Sequence, residues 1–316
     1  MAAVRAREVT KRYGETTALD GVSLSIERGE LFALIGPNGA GKTTLVRCLT
    51  GTTDHGGEAE LLGESPRAVD RSRVGLLPQS FAPASRLTAR ELVGYYAGLY
   101  DDARDPGDAL AEVGLDAAGA DTRYERLSGG QQRRACVAAA LVNDPAVLFL
   151  DEPTVGIDPA GRRAIRDVVE ALADAGTTVV LTTHDMAEAE RLADRVGLLA
   201  GGELVATGTP AELVAAHGGE SSLRVETEAD PGVLLAAGFE ARTTADGIEV
   251  AGIDPRDIGE VARALDEAGV AYGAIEWREP DLEDAYIALA GGKESGGPAA
   301  DGHPPDRRTG SGGGEA

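Results

Sequence analysis

The chain has 316 residues, enough for roughly two domains, and its residues carry a formal charge of −23 from 53 acids against 30 bases. Lys11, Lys42 and Lys293 are the only lysines; an acidic, lysine-poor surface suits a salt-rich cytoplasm, where screening relieves self-repulsion, or a generally acidic proteome. The balance argues against a nucleic-acid partner.

The opening residues "MAAVRAREVTKRYGE" hold no apolar signal core, and no apolar run approaches the roughly 18 residues that a bilayer span needs. The chain is therefore expected to be made and kept in the cytoplasm. Cys48 and Cys136 lie far apart, which gives neither a metal spacing nor a disulfide framework; they read as small core residues.

To about residue 218, short β-branched runs alternate with helical runs, the pattern of an α/β domain. "GELFALIG" (29–36) reads as a buried strand, followed by a Gly-rich turn and a helix from about Lys42. The turn and helix start, "GPNGAGKT", match G-x-x-x-x-G-K-[ST]. Gly36, Gly39 and Gly41 let the backbone wrap phosphates. Lys42 would neutralise β and γ oxygens, and the Thr43 hydroxyl would bind Mg²⁺.

Between Gln79 and Ala140 strands become scarce. "TARELVGYYAGLY" and "PGDALAEVGL" have helical spacing, so residues from about 82 to 140 read as a helical insertion. "ERLSGGQQRR" (125–134) reads as a turn into a helix that starts at Gly129–Gly130, with backbone N–H groups open to an anion. Arg133 and Arg134 read as surface or ion-pair residues.

"AVLFLDEP" (146–153) is a second buried strand, ending in Asp151 and Glu152. A buried strand does not end in adjacent carboxylates without cost. Asp151 suits Mg²⁺, and Glu152 suits general-base work on a water beside the γ-phosphate. "TTVVLTTH" (177–184) is a third strand, ending in His184. All three strands put polar residues at their C-terminal ends, where α/β sheets bind ligands.

The phosphate loop, "LSGGQ" and "LDEP", in this order, resemble the nucleotide-binding subunit of ABC transporters, from about Val4 to about His217. The resemblance implies an ATPase with ATP and Mg²⁺ as its ligands. The fold it implies is a P-loop cassette, with a RecA-like sheet core and a helical subdomain. It places Tyr13 on adenine, and Gly36, Pro37, Asn38, Gly39, Ala40, Gly41, Lys42, Thr43 and Thr44 around the phosphates. It gives Gln79 contact with Mg²⁺ and the attacking water, and gives the same loop the coupling to a membrane subunit. It makes Asp158 a link between two sites across a dimer and His184 a γ-phosphate switch. Ile157, where the family usually has Leu, is a mild departure. Two cassettes would pair head to tail, so that Ser128, Gly129, Gly130 and Gln131 of one meet the nucleotide held by the other.

From about Ser221 a new unit begins. "SSLRVETE", "EARTTADGIEVAG" and "AYGAIEWRE" read as strands, and "DPRDIGEVARALDEAG" and "DLEDAYIALAG" as helices. Residues 221–291 are expected to form a small α+β accessory domain after an ATPase domain of residues 1–218. Residues 292–316, rich in Gly and Pro, are expected to be disordered. The ending "EPDLEDAYIALAGG" is similar to that of cassettes serving type 2 ABC exporters of the daunorubicin-type drug resistance group. The implied role is an ATP-hydrolysing homodimer on a separate membrane permease, at the cytoplasmic face of the membrane. The alternatives are an importer cassette, or a soluble ABC ATPase acting on a macromolecular complex without a permease. Long coiled coils, zinc cysteines and a second cassette, which mark other branches of the class, are absent from the sequence.

Overall fold

The computed structural model describes residues 1–291; the expected disordered tail lies outside the described residues. β1 (Ala2–Tyr13) and β2 (Thr16–Glu27) form a hairpin closed at the Tyr13–Thr16 pair. β3 (Leu31–Ile35) runs through the Gly-rich turn into α1 (Lys42–Leu49). β4 (Gly56–Leu61) returns to pair with β1, completing an antiparallel sheet of order β2-β1-β4. The sequence reading did not contain this sheet.

β5 (Val74–Leu77) leads into α2 (Ala89–Ala97), α3 (Pro106–Glu112), α4 (Ala117–Ala120) and α5 (Gly129–Leu141), a run of helices between β5 and the next strand. The chain then alternates through β6 (Val147–Asp151), α6 (Pro159–Asp174), β7 (Thr178–Thr183), α7 (Met186–Leu192) and β8 (Arg195–Ala200). β9 (Glu203–Gly208) and α8 (Pro210–His217) follow. The second sheet has the order β5-β6-β7-β3-β8-β9; its pairs are parallel except for the β8–β9 edge.

Helices cover this sheet on both faces, which is why β3 and β6 are buried at every position. Successive side chains still alternate between faces. Phe32 and Leu34 point toward a core shared with α1 and the antiparallel sheet, including Leu45, Val9 and Leu19. Leu31, Ala33 and Ile35 face a second core built with the helical insertion, α6 and α7.

β10 (Ser222–Glu226), α9 (Gly232–Ala236), β11 (Glu240–Thr244), β12 (Gly247–Ala251), α10 (Ile258–Glu267) and β13 (Ile275–Arg278) form a separate antiparallel sheet of order β11-β12-β10-β13 with its own core. The last helix among the described residues, α11 (Leu282–Ala290), departs from the expected grouping. Its buried residues Leu282, Tyr286 and Ala290 join the core of the parallel sheet and the helical insertion, beside Leu213 of α8. The physical reason is that α8 presents an apolar stripe that β9 alone does not cover.

Candidate functional site

The three parallel strands β3, β6 and β7 deliver their outgoing residues to one edge of the sheet. At the end of β3 the loop folds on itself, with Ala40 N–H donating to Pro37 O (3.2 Å). Gly41 has φ +108°, and a Cβ there would lie 2.6 Å from Ala18 O, so only glycine fits. No side chain caps the first turn of α1, which leaves its N–H groups directed at an incoming anion. Lys42, buried, donates from Nζ to Gly36 O (2.7 Å) and Pro37 O (3.1 Å).

Four predicted residues from four segments converge. Lys42 Nζ lies 3.3 Å from Glu152 Oε1, with both side chains 5 % exposed. Gln79 Nε2 donates to Glu152 Oε2 (3.0 Å), and His184 Nδ1 lies 3.6 Å from Glu152 Oε1. The Glu152 backbone is left-handed, φ +49°, a conformation that costs a non-glycine residue about 1–3 kcal/mol. Such strain persists only where neighbours hold it. Here the Glu152 N–H donates both to Thr182 O (3.1 Å) and to Thr182 Oγ1 (3.0 Å).

Asp151 is 2 % exposed. Its Oδ1 accepts the Thr182 hydroxyl (2.5 Å), and it makes no ion pair among the described residues. A buried carboxylate in no ion pair among the described residues, on a strand of the sheet that carries the phosphate loop, is a chemically fitting partner for a hard cation such as Mg²⁺. Thr43, directly after Lys42 in α1, adds a hydroxyl of the same character.

The remaining predicted residues stand elsewhere. Tyr13 is 46 % exposed at the end of β1, with Lys11 Nζ 5.1 Å from its ring centre. Ser128 caps α5: its hydroxyl accepts the Gln131 N–H (3.3 Å), and Gln131 Oε1 accepts the Ser128 N–H (3.0 Å). Gly129 and Gly130 lie against the segment 156–161, not against the side chains gathered on Glu152. Asp158 caps α6, its carboxylate accepting the Gly161 N–H (2.9 Å). That backbone hydrogen bond holds its carboxyl below the usual range.

Sequence reasoning missed what Arg133 and Arg134 hold. Arg133 is half-buried and makes no ion pair among the described residues: its guanidinium donates to the main-chain oxygens of Pro153 (2.9 Å), Asp151 (3.0 Å) and Glu152 (3.0 Å). Arg134 donates to Val113 O (3.2 Å) and Gly114 O (2.5 Å), tying α5 to the end of α3. Carbonyls left over at strand and helix ends need donors, and arginine's five N–H groups supply them.

Glu188 was also missed. It is buried on α7, and its Oε2 accepts the hydroxyls of Thr154 (2.9 Å) and Thr183 (3.2 Å). It thereby joins the segment after Glu152 to the strand that ends at His184. No spacing in the sequence marks either residue.

A family model described as ABC transporter matches residues 19–155. A daunorubicin resistance ATP-binding protein of Streptomyces coeruleorubidus is 38% identical over 296 residues, 89% of this chain and 93% of that protein. The chain belongs to the ABC transporter ATP-binding family. A fluoroquinolones export ATP-binding protein of Mycobacterium tuberculosis is 40% identical over 298 residues, 91% of this chain and 93% of its own. Among solved structures, a dimeric bacterial ABC transporter cassette matches with TM-score 0.60 and 29% identity, covering 65% of this chain and 98% of that one. The same cassette solved in a dimeric post-hydrolysis state bound to ADP and Pi matches with TM-score 0.59. As a member of this family, the chain is an ATP-binding cassette and an ATPase.

Proposed function

We propose that this cassette powers export through a separate membrane permease, working as a head-to-tail pair at the cytoplasmic face of the membrane. The observation that carries the reading is the span of the likeness. Relatives named for drug resistance and export match over 296 and 298 residues, well beyond the 19–155 of the family model and into the small C-terminal unit.

In this reading the amides of the phosphate loop, from Gly36 to Thr44, and Lys42 hold the nucleotide's phosphates, and exposed Tyr13 stacks on its base. Thr43, Asp151 and Gln79 would hold Mg²⁺, which when bound with the nucleotide supplies positive charge to the β and γ oxygens. Glu152 takes the proton of the attacking water, oriented by Gln79. His184, half exposed beside Glu152, reaches the γ-phosphate. The Ser128 hydroxyl and the Gly129, Gly130 and Gln131 amides at the N-terminus of α5 complete the partner's site, and Asp158 links the two sites across the pair. The positive end of that helix adds to the attraction for phosphate.

Permease contact falls to the face beside Gln79. There β5 and the helical insertion border a cavity of about 350 Å³ lined by Phe81, Tyr96, Leu99, Tyr100 and Cys136. Leu99 is 62 % exposed, as is neighbouring Tyr95 at 64 %. Large apolar side chains left in water next to a cavity suit a protein partner.

The test is light scattering of Glu152→Gln at molar salt, with and without Mg-ATP. The variant is expected to bind ATP, to lose about 10²–10⁴ in turnover, and to pass from monomer to dimer only with ATP. Turnover like the parent's would remove Glu152 from the base role. A monomer with ATP bound would remove self-pairing.

A further inference from the structure

We infer that Arg133 is a positioning residue for hydrolysis, holding the Glu152 peptide in the left-handed conformation that aims its carboxylate. The inference rests on the proposed role of Glu152 as the base.

The argument begins with the strain. Glu152 at φ +49° relaxes toward negative φ unless it is gripped. Its N–H side is gripped by Thr182, through the main-chain oxygen and the hydroxyl. Its C=O side is gripped most closely by Arg133, through Nη2 at 3.0 Å, with the Val155 N–H a longer second donor at 3.4 Å. The same nitrogen reaches Asp151 O at 3.0 Å and Nε reaches Pro153 O at 2.9 Å, so one planar group fixes three successive carbonyls. An ammonium would not match this: it lacks the fork whose N–H groups diverge from a rigid plane.

The grip has a visible consequence for the side chain. From this backbone conformation Glu152 meets Lys42, Gln79 and His184 together. A change in φ rotates the residue about its N–Cα bond and so moves the carboxylate relative to all three.

The placement of Arg133 in the chain also matters. It stands on α5, the helix that opens at Ser128. Arg133 stands five positions after Ser128, a rise of about 7–8 Å along the helix. In the proposed pair, the turn that faces the partner's nucleotide and the arm that holds this chain's own carboxylate are thus carried by one helix.

The experiment compares ATP turnover by the full chain, Arg133→Ala, Glu152→Gln and the double variant at molar salt, with kcat and KM determined separately. Arg133→Ala is expected to lower kcat roughly tenfold to a hundredfold with KM for ATP within about twofold. In the Glu152→Gln background the same substitution is expected to cost nothing further, because there is no longer a base to aim. Arg133→Lys is expected to recover only part of the loss. A parent-like kcat for Arg133→Ala, a rise in KM at unchanged kcat, or an equal loss in both backgrounds would overturn the inference. If Arg133→Ala does not fold, Arg133→Gln, which keeps part of the stem and one donor group, is read by the same criteria. Parent-like turnover of Glu152→Gln alone would instead sink the base assignment, and so separates that failure from this one.

Discussion

Glu188 and Glu152 are both buried acids near one sheet edge, yet they differ in what surrounds them. Glu152 is met by Lys42, whereas Glu188 is met mainly by the hydroxyls of Thr154 and Thr183. Burial pushes the Glu188 carboxyl above its ordinary 4.5; the two hydroxyls and the charge of Arg166 oppose this only in part, and Asp185 adds to the rise. A folded-state value above the unfolded one stabilises the fold fully below 4.5, and that contribution is lost as pH rises through the folded value. Glu188→Gln cannot ionise and lacks this slope. The melting temperature of the variant minus that of the parent is therefore expected to rise as pH climbs from about 4 toward about 8. A difference flat across that range would show that Glu188 is not held against ionisation. At this scale the sequence was readable where a motif fixes a residue type at a strand end, as at Lys42, Asp151, Glu152 and His184. It showed neither the main-chain role of Arg133, read there as a surface or ion-pair residue, nor Glu188 at all, because what defines them is the main-chain or hydroxyl partner brought to them by distant segments.

Among the elements, α5 carries the most consequence. Its capping box ties Ser128 to Gln131 within the chain, and Gly130 lies so close to α6 that a Cβ there would sit 2.9 Å from Gly161 Cα. The two helix starts therefore meet backbone to backbone, and a long side chain at the turn has nowhere to go but outward. Ser128→Arg loses the cap, at about 0.5–2 kcal/mol of stability, and projects a cation where the proposed partner's nucleotide must approach. In the Glu152→Gln background it is expected to bind Mg-ATP with affinity within about threefold of the parent and to remain monomeric by light scattering. An ATP-induced dimer would break the account of this turn. The buried parallel strands announced themselves as apolar runs. The sheet of β1, β2 and β4 did not: Arg5, Arg7, Glu58 and Glu60 line one of its faces, and bulges break the alternation of β1 near Glu8. Long-range pairing of such half-polar strands leaves little local signature.

At the scale of the whole molecule, the chain leaves the parallel-sheet core after α8, builds a separate small core, and then returns with α11. The return is anchored where α11 begins. Asp281 caps α11 and pairs with Arg278 (2.6 Å), and Leu282 N–H donates to Glu190 Oε2 on α7 (3.4 Å). Leu282 is wholly buried in the cassette core, whereas Leu265 of α10 is wholly buried in the small one. Sequence periodicity shows that α11 has an apolar face but not which core will receive it, since both lie within reach of the connecting segment. The two leucines make the question measurable. Either Leu→Ala change is expected to remove about 2–5 kcal/mol from the core that holds it. ATP stabilises only the unit that binds it, so the thermal transition raised by Mg-ATP reports the cassette. Leu282→Ala is expected to lower that transition, and Leu265→Ala to leave it within about 2 °C. If Leu265→Ala lowers it equally, the two cores melt as one. If Leu282→Ala leaves it in place, α11 lies on the cassette without sharing its stability. The expected result makes the C-terminal helix a strap that binds the small sheet to the ATPase, so that truncation before α11 would cost the cassette itself.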